Sequence, residues 1–136
     1  MEQSNKKQSG RQIMERAMQS ATQFLEMVVA GDIDQAYEKY VDMNGVHHNA
    51  YYPAGFEALK KGMKENHVQF PKKSISVKHM LVDGDLIATH SHVRLDPTTP
   101  GIITLHLFRF ESGKIVELWD CGQAIPPDSP NADGLF

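Results

Sequence analysis

Residues 102–122 read IITLHLFRFESGKIVELWDCG, two runs of mixed apolar and polar residues on either side of a short polar segment. The flanks are rich in Ile, Leu, Phe and Trp, which is typical of strands, and residues 111–114 (ESGK) are typical of a tight turn. The stretch therefore predicts a β-hairpin. It carries His106 on one strand and Asp120 on the other, and an imidazole beside a carboxylate is a candidate acid/base pair.

Whether His106 and Asp120 share a face depends on the turn. A plain two-residue turn at positions 112 and 113 pairs residue 106 with 119, which points Asp120 away from His106. A three-residue loop that ends at Gly113 in the left-handed conformation adds a one-residue bulge. Residue 106 then pairs near 118 and 104 near 120, so that His106 and Asp120 are diagonal neighbours. Gly at the third loop position favours this second register.

Composition narrows the class of protein. The chain has 136 residues, which predicts one domain, and 40% are hydrophobic, enough for one core. The net charge of −3 and a pI near 6.1 give no basic footprint for nucleic acid. A single cysteine, Cys121, fits a reducing compartment, and no apolar run is long enough to span a membrane. We expect a cytoplasmic protein that binds neither nucleic acid nor membrane.

The first half of the chain predicts helices. Apolar residues recur at three- and four-residue spacing from Ile13 to Ala30, and Gly31 follows as a stop. Asp32 with a Gln three residues later resembles a capping box for a second helix, and Phe56 begins the stripe of a third. Residues 1–11 are polar, and we expect a flexible tail there.

The second half predicts strands. Residues 74–82 alternate, residues 86–95 form the next strand after a turn signal at 83–85, and residues 96–101 form a loop with two prolines. Helices followed by a strand meander indicate an α+β fold in which helices cover one face of an antiparallel sheet.

Three histidines outside the hairpin are candidates for a binding site. His90 and His92 lie two residues apart on one strand and so share a face, about 6 to 7 Å apart. His48 lies in a short segment between helices, where it either caps a helix or lines a pocket.

A family resemblance rests on residues 84–92 (GDLIATHSH), on residues 107–120 (LFRFESGKIVELWD) and on the end of the chain at 123–126 and 131–136. Upstream, residues 48–49 and 55–59 fit as well. These stretches resemble SnoaL-like proteins of the nuclear transport factor 2-like superfamily, and the similarity covers about four-fifths of the chain. Residues 1–136 are thus interpreted as one SnoaL-like domain.

The resemblance implies a cone: a curved antiparallel sheet wraps around a pocket that N-terminal helices close. It also implies cofactor-free and metal-free catalysis of aldol condensation or a related isomerisation, with Asp120 as the acid/base residue and His106 as its helper. The expected ligand is small, hydrophobic and carbonyl-containing. His48, His90 and His92 would polarise its carbonyl, and Phe108 and Leu118 would form apolar walls. The outer sheet face, with Leu105 and Trp119, would pair two subunits in a homodimer.

Two alternatives stay open on the sequence alone. His90 and His92 on one strand could hold a metal ion, with His106, His48 or Asp120 completing the ligand set. The domain could instead be a non-catalytic module for ligand binding or dimerisation, because a fold does not fix an activity.

Overall fold

The computed structural model describes residues 9–136, along which eight elements follow one another. In chain order they are α1 (Gly10–Ala30), α2 (Ile33–Tyr40), β1 (Val41–His47), α3 (Phe56–Gln69), β2 (Ser74–Asp83), β3 (Leu86–Arg94), β4 (Ile102–Glu111) and β5 (Lys114–Ala124). The predicted α+β class is confirmed. The predicted tail of residues 1–11 is wrong at its end, because residues 10 and 11 lie in α1, and residues 1–8 lie outside the described residues.

A capping box extends α1 beyond its apolar pattern. The Gln12 backbone N–H donates to Ser9 Oγ at 3.1 Å, and the Ser9 N–H donates to Gln12 Oε1 at 3.0 Å. Gly31, with φ at +96°, ends the helix as predicted. Asp32 precedes α2 but makes no side-chain capping bond, so the second predicted capping box is wrong. Among the described residues, no helix has the length and apolar character needed to cross a membrane.

The five strands form one curved, unclosed sheet in the order β1-β5-β4-β3-β2. Both predicted hairpins are present, and β3 and β4 also pair antiparallel. The sheet is not wholly antiparallel, because β1 lies parallel to β5 at one edge. The implied fold, in which helices accompany a curved sheet, is confirmed. The parallel edge strand β1 corrects the prediction of a wholly antiparallel sheet.

The sequence pattern did not predict β1. This strand pairs Val46 with Glu117 and His47 with Leu118. It approaches β5 closely at Gly45, where a Cβ atom would lie 2.3 Å from the carbonyl oxygen of Val116. A residue without a side chain is therefore required at position 45 for the two backbones to meet.

The turn between β4 and β5 has two residues. Ser112 and Gly113 have φ values of +51° and +79°, and they connect the paired residues Glu111 and Lys114. Positive φ at both positions is the geometry of a type I′ turn, whose twist matches that of the flanking strands. The three-residue loop favoured by the sequence is therefore wrong.

A bulge follows this turn and resets the register. Phe110 pairs with Ile115, but Arg109 pairs with Glu117, which makes Val116 the extra residue on β5. From there onward the pairing is shifted by one position. Neither predicted register holds: residue 106 pairs directly with residue 120.

The core lies between the helices and one face of the sheet, which we call the inner face; the opposite side is the outer face. Phe24, Tyr37, Phe56 and Phe108 pack edge to face there, with ring centroids 5.3 to 6.3 Å apart. All four are buried. Phe108 thus marks the inner face of β4, and with it every second residue along that strand.

Candidate functional site

Two successive rows of cross-strand partners on the inner face are polar. Each row takes one residue from β3, one from β4 and one from β5. The rows are Thr89–His106–Asp120 and Ser91–Thr104–Gly122. They lie beside the apolar row Ile87–Phe108–Leu118, which is buried in the core. We call the two polar rows the polar band.

His106 and Asp120 are directly opposed in the polar band. Side chains in such a position have Cβ atoms about 4.5 to 5.5 Å apart. The His106 ring lies nearly parallel to that of Phe108, with centroids 5.9 Å apart. Burial lowers the pKa of His106, and the negative charge of Asp120 opposes this shift only in part. His106 is therefore neutral at neutral pH. Part of the residue is still exposed to solvent.

Asn49 holds the carboxylate of Asp120. Its Nδ2 donates to both carboxylate oxygens, at 3.0 Å each. The orientation of the Asn49 amide is fixed, because its Oδ1 accepts a hydrogen bond from the Tyr51 N–H at 2.9 Å, and a backbone N–H can only donate. The Nδ2 group must then face Asp120.

A buried histidine anchors Asn49 in turn. The Asn49 backbone N–H donates to His47 Nδ1 at 3.1 Å, so this nitrogen is an acceptor. His47 Nε2 carries the proton and donates to the Pro53 carbonyl at 2.8 Å. Neither His47 nor Asn49 was among the site residues predicted from the sequence. The signal that could have found Asn49 is its place in the stretch at 48–49, which fits the family pattern.

Tyr37 adds a neutral phenol near the site. Burial raises the pKa of its hydroxyl first of all, and the negative charge of Asp120 and the neighbouring Tyr52 raise it further. Tyr37 therefore keeps its proton throughout the physiological range.

A cleft of about 310 Å³ opens onto the polar band. Such a volume is at the small end of ligand pockets, which run from about 300 to 1,000 Å³. Its lining comes from the segment after β1 and from β4 and β5: Asn49, Ala50, Tyr51, Thr104, His106, Asp120, Cys121 and Gly122. A Cβ atom at Gly122 would lie 3.1 Å from Ile102 Cγ2, so glycine allows β5 to pack closely against Ile102 there.

Phe108 and Leu118 are not among the residues that line this cleft. Their relative exposures are 0% and 4%, and both belong to the core. The prediction that they form apolar walls of the pocket is wrong in this respect. Phe108 instead packs against the ring of His106.

The structure places His90 and His92 on the outer face, which corrects their predicted role. They pair with Leu105 and Ile103, whereas Ser91 between them belongs to the polar band and pairs with Thr104. His90 Nδ1 lies 2.9 Å from His79 Nδ1, and His92 Nε2 lies 2.7 Å from the Pro100 carbonyl. Neither histidine can reach a ligand held by His106.

His48 also lies away from the cleft. Its Nε2 bonds Glu117 Oε2 at 2.7 Å, and its ring stacks on Trp119 with centroids 5.1 Å apart. Both partners point to the outer face of β5, because they alternate with Asp120. The structure thus corrects the prediction that His48 lines the site.

The residues suggested for a metal site do not come together around one point. His90 and His92 face outward while His106 and Asp120 face inward, so one ion cannot contact both pairs. Within residues 9–136, no group of three or more His, Cys, Asp or Glu side chains is arranged to hold a metal ion.

Comparison with known proteins identifies the family. The model of the SnoaL-like domain matches residues 21–118, and the chain belongs to this family. Curated proteins give no match.

Among solved structures, three similar ones illustrate the fold. A protein from Jannaschia sp. CCS1 assigned as a SnoaL-like polyketide cyclase is 13% identical, with a TM-score of 0.68 over 87% of this chain and 91% of that chain. An NTF2-like protein of unknown function from Burkholderia xenovorans LB400 is 18% identical, with a TM-score of 0.67 over 85% and 88%. An LEH-like epoxide hydrolase from M. tuberculosis is 14% identical, with a TM-score of 0.63 over 81% and 84%. At these identities the similarity concerns the fold alone.

Proposed function

We propose that this SnoaL-like domain is a small-molecule enzyme that uses acid/base catalysis without a cofactor, in an aldol condensation or a related isomerisation. Asp120 is the base and His106 is its partner. The observation that carries the proposal is the direct pairing of these two residues on the inner face, beside a cleft of ligand size. The names of structural neighbours, among them a polyketide cyclase and an epoxide hydrolase, are compatible with small-molecule chemistry.

The first step is removal of a proton alpha to a carbonyl. The Asp120 carboxylate takes the proton, the C–H bond breaks, and its electron pair moves toward the carbonyl oxygen to give an enolate. Neutral His106 carries one ring N–H, which donates to that oxygen as negative charge develops. In an isomerisation a substrate with a neighbouring C=C bond gives a dienolate, which regains the proton from Asp120 at another carbon. In an aldol condensation the enolate carbon attacks a second carbonyl, and the alkoxide that forms takes the proton back from Asp120.

Asn49 contributes position and not proton transfer. Because its amide contacts both oxygens of Asp120, it restricts rotation of the carboxylate toward the cleft. A base held in one orientation needs no reorganisation at the moment of reaction, which is a substantial part of catalytic rate enhancement.

The proposed ligand is small and carries a carbonyl group on an otherwise apolar body. The cleft is large enough for a small molecule only, and His106 in its lining can donate a hydrogen bond to a carbonyl oxygen. Ala50, Cys121 and Gly122 offer apolar contacts for the remainder.

Hydrogen–deuterium exchange at the alpha carbon tests the proposal without knowledge of the natural substrate. Pentan-2-one and cyclohexanone serve as probes in deuterated buffer, and proton NMR follows the loss of the alpha signal. We expect wild-type protein to accelerate exchange and Asp120→Asn to lose about 100-fold or more of this acceleration. Asp128→Asn is the matched control, because Asp128 is an exposed carboxylate in the segment after β5.

Equal exchange by wild-type protein and Asp120→Asn would contradict the assignment of Asp120 as the base. Binding of a probe without any exchange would instead assign the domain as a ligand-binding module.

We also propose that the protein is a homodimer that forms through the outer face. A row of largely apolar partners crosses four strands there, namely Leu81, Ala88, Leu107 and Trp119. Leu81 and, in the next row, Leu105 are 72% and 49% exposed. Exposed apolar side chains of this kind are unfavourable in water, and a second copy of the chain would cover them.

A further inference from the structure

Two hydroxyl groups in the polar band are fully buried and have no partner among residues 9–136. They are Thr89 Oγ1 and Ser91 Oγ, and both residues have a relative exposure of 0%. His106 Nδ1 is a third buried polar atom without a partner there. Buried polar atoms in proteins are nearly always hydrogen-bonded, so three together call for a shared explanation.

The sheet register brings these three atoms close to one another. Thr89 is directly opposite His106, and Ser91 is the next residue of β3 on the same face. Directly opposed Cβ atoms lie about 4.5 to 5.5 Å apart, and next-but-one residues of a strand about 6.5 to 7 Å apart. At these spacings the three side chains are near enough for one small atom between them to hydrogen-bond all three.

Thr104 is the fourth residue of this part of the band, and it behaves differently. Its Oγ1 donates to the Ser91 carbonyl oxygen at 3.4 Å, so its hydroxyl is used within the sheet. Within the polar band, the unpartnered buried atoms of the described residues are therefore Thr89 Oγ1, Ser91 Oγ and His106 Nδ1.

We propose that Thr89, Ser91 and His106 Nδ1 form a binding site for one neutral oxygen atom. Hydroxyl groups both donate and accept, which suits a water, a hydroxyl group or a carbonyl oxygen. An anion is disfavoured because Asp120 lies in the same row and contributes negative charge. The site lies on the inner side of His106, away from β5.

The bound oxygen has a consequence for catalysis. The proton of neutral His106 occupies one of two nitrogens, and the partner of Nδ1 decides which one. Thr89 and Ser91 are then positioning residues. They set the tautomer of His106, and His106 in turn assists the proton transfer by Asp120. This role rests on the proposed function, but the binding of the oxygen does not.

The oxygen has two sources, a resident water or an oxygen of the ligand. A buried water needs two to four polar partners, and three are present here. Thr89 and Ser91 are fully buried and do not line the cleft, so the hydroxyl group of a ligand would satisfy the same atoms only by entering beyond the cleft lining.

Nitrogen-15 NMR of the full chain tests the proposal. Long-range proton–nitrogen spectra report which ring nitrogen of His106 carries the proton, with His106→Gln used to assign its signals. We expect Thr89→Val and Ser91→Ala to change the His106 nitrogen shifts, and Thr104→Val, the matched control, to leave them unchanged. Because this readout does not involve turnover, it separates failure of the oxygen site from failure of the proposed function.

Two further measurements identify the source. Long-lived cross-relaxation between solvent and the Thr89 and Ser91 side-chain protons would identify a resident water. If the oxygen comes from the ligand, we expect 4-hydroxybutan-2-one to bind more tightly than butan-2-one. We also expect Thr89→Val to weaken the binding of 4-hydroxybutan-2-one about 3- to 10-fold. If the His106 signals are the same in all three variants, and neither solvent contact nor ligand preference is found, the oxygen site does not exist.

Discussion

Asn49 donates to both carboxylate oxygens of Asp120, at 3.0 Å each, across the junction between an edge strand and its neighbour. We expect Asn49→Ala to lower the rate of alpha-proton exchange about 10-fold or more, because a mispositioned catalytic group loses much of its effect. The same NMR assay of pentan-2-one measures it. Asn44→Ala, at an exposed position of β1, is the control and should retain the wild-type rate. An unchanged rate in Asn49→Ala would show that Asp120 needs no positioning by this amide.

His106 makes stability depend on pH. Since burial lowers its pKa in the folded state, the unfolded chain binds the proton more readily. The free energy of unfolding therefore falls as pH drops below the usual His value of about 6.5, and recovers above it. Urea unfolding at pH 5 and pH 7.5 measures this difference. We expect His106→Gln to reduce it, and an undiminished difference would mean that other groups cause the acid sensitivity.

Gly45 permits β1 to approach β5. We expect Gly45→Ala to lower the free energy of unfolding by about 1 to 3 kcal/mol, because the new methyl group would meet the Val116 carbonyl oxygen. Thermal and urea unfolding measure the loss. Gly10→Ala is the control, since a Cβ atom there has no heavy atom within 4 Å. Similar stability of the two variants would show that β1 shifts freely away from β5.

Leu105 of β4 lies on the outer face and is 49% exposed. This face is the surface through which two subunits are proposed to pair. A charge buried at such an interface without a partner is costly. We expect wild-type protein to be a dimer by light scattering at micromolar concentration and Leu105→Glu to be a monomer that keeps its fold by circular dichroism. Asp128→Glu, in the exposed segment after β5, should stay dimeric. A monomeric wild-type protein would contradict the interface.

Much of the fold follows from local sequence. The apolar spacing of residues 13–30, the Gly31 stop and the alternation of the strands each rest on neighbouring residues, and these predictions are confirmed. β1 was missed because residues 41–47 lack alternation and pair with a strand far along the chain. Parallel pairing of this kind leaves little local signal.

The candidate site was predictable only in part. His106 and Asp120 share a face as expected, although through a bulge at Val116 after a two-residue turn and not through the three-residue loop and bulge that Gly113 suggested. The faces of His90 and His92 depend on how β3 pairs with β4, and the loop at 95–101 does not disclose that register. His48 and Asn49 are adjacent, yet one faces outward and the other bonds Asp120. Which of them enters the site is decided by the path of the chain after β1.

Because Val116 is an extra residue on β5, insertions and deletions near it can affect the sheet face of later residues, which substitutions do not. Loss of one residue there would remove the bulge and keep Asp120 opposite His106, whereas gain of one residue without a second bulge would bring Trp119 to the cleft and turn Asp120 away. Relatives that differ in length between the turn and the carboxylate should therefore be aligned by strand face before their residues are compared. Substitutions can tune the site, but only a change in length can move the carboxylate to the other side of the sheet.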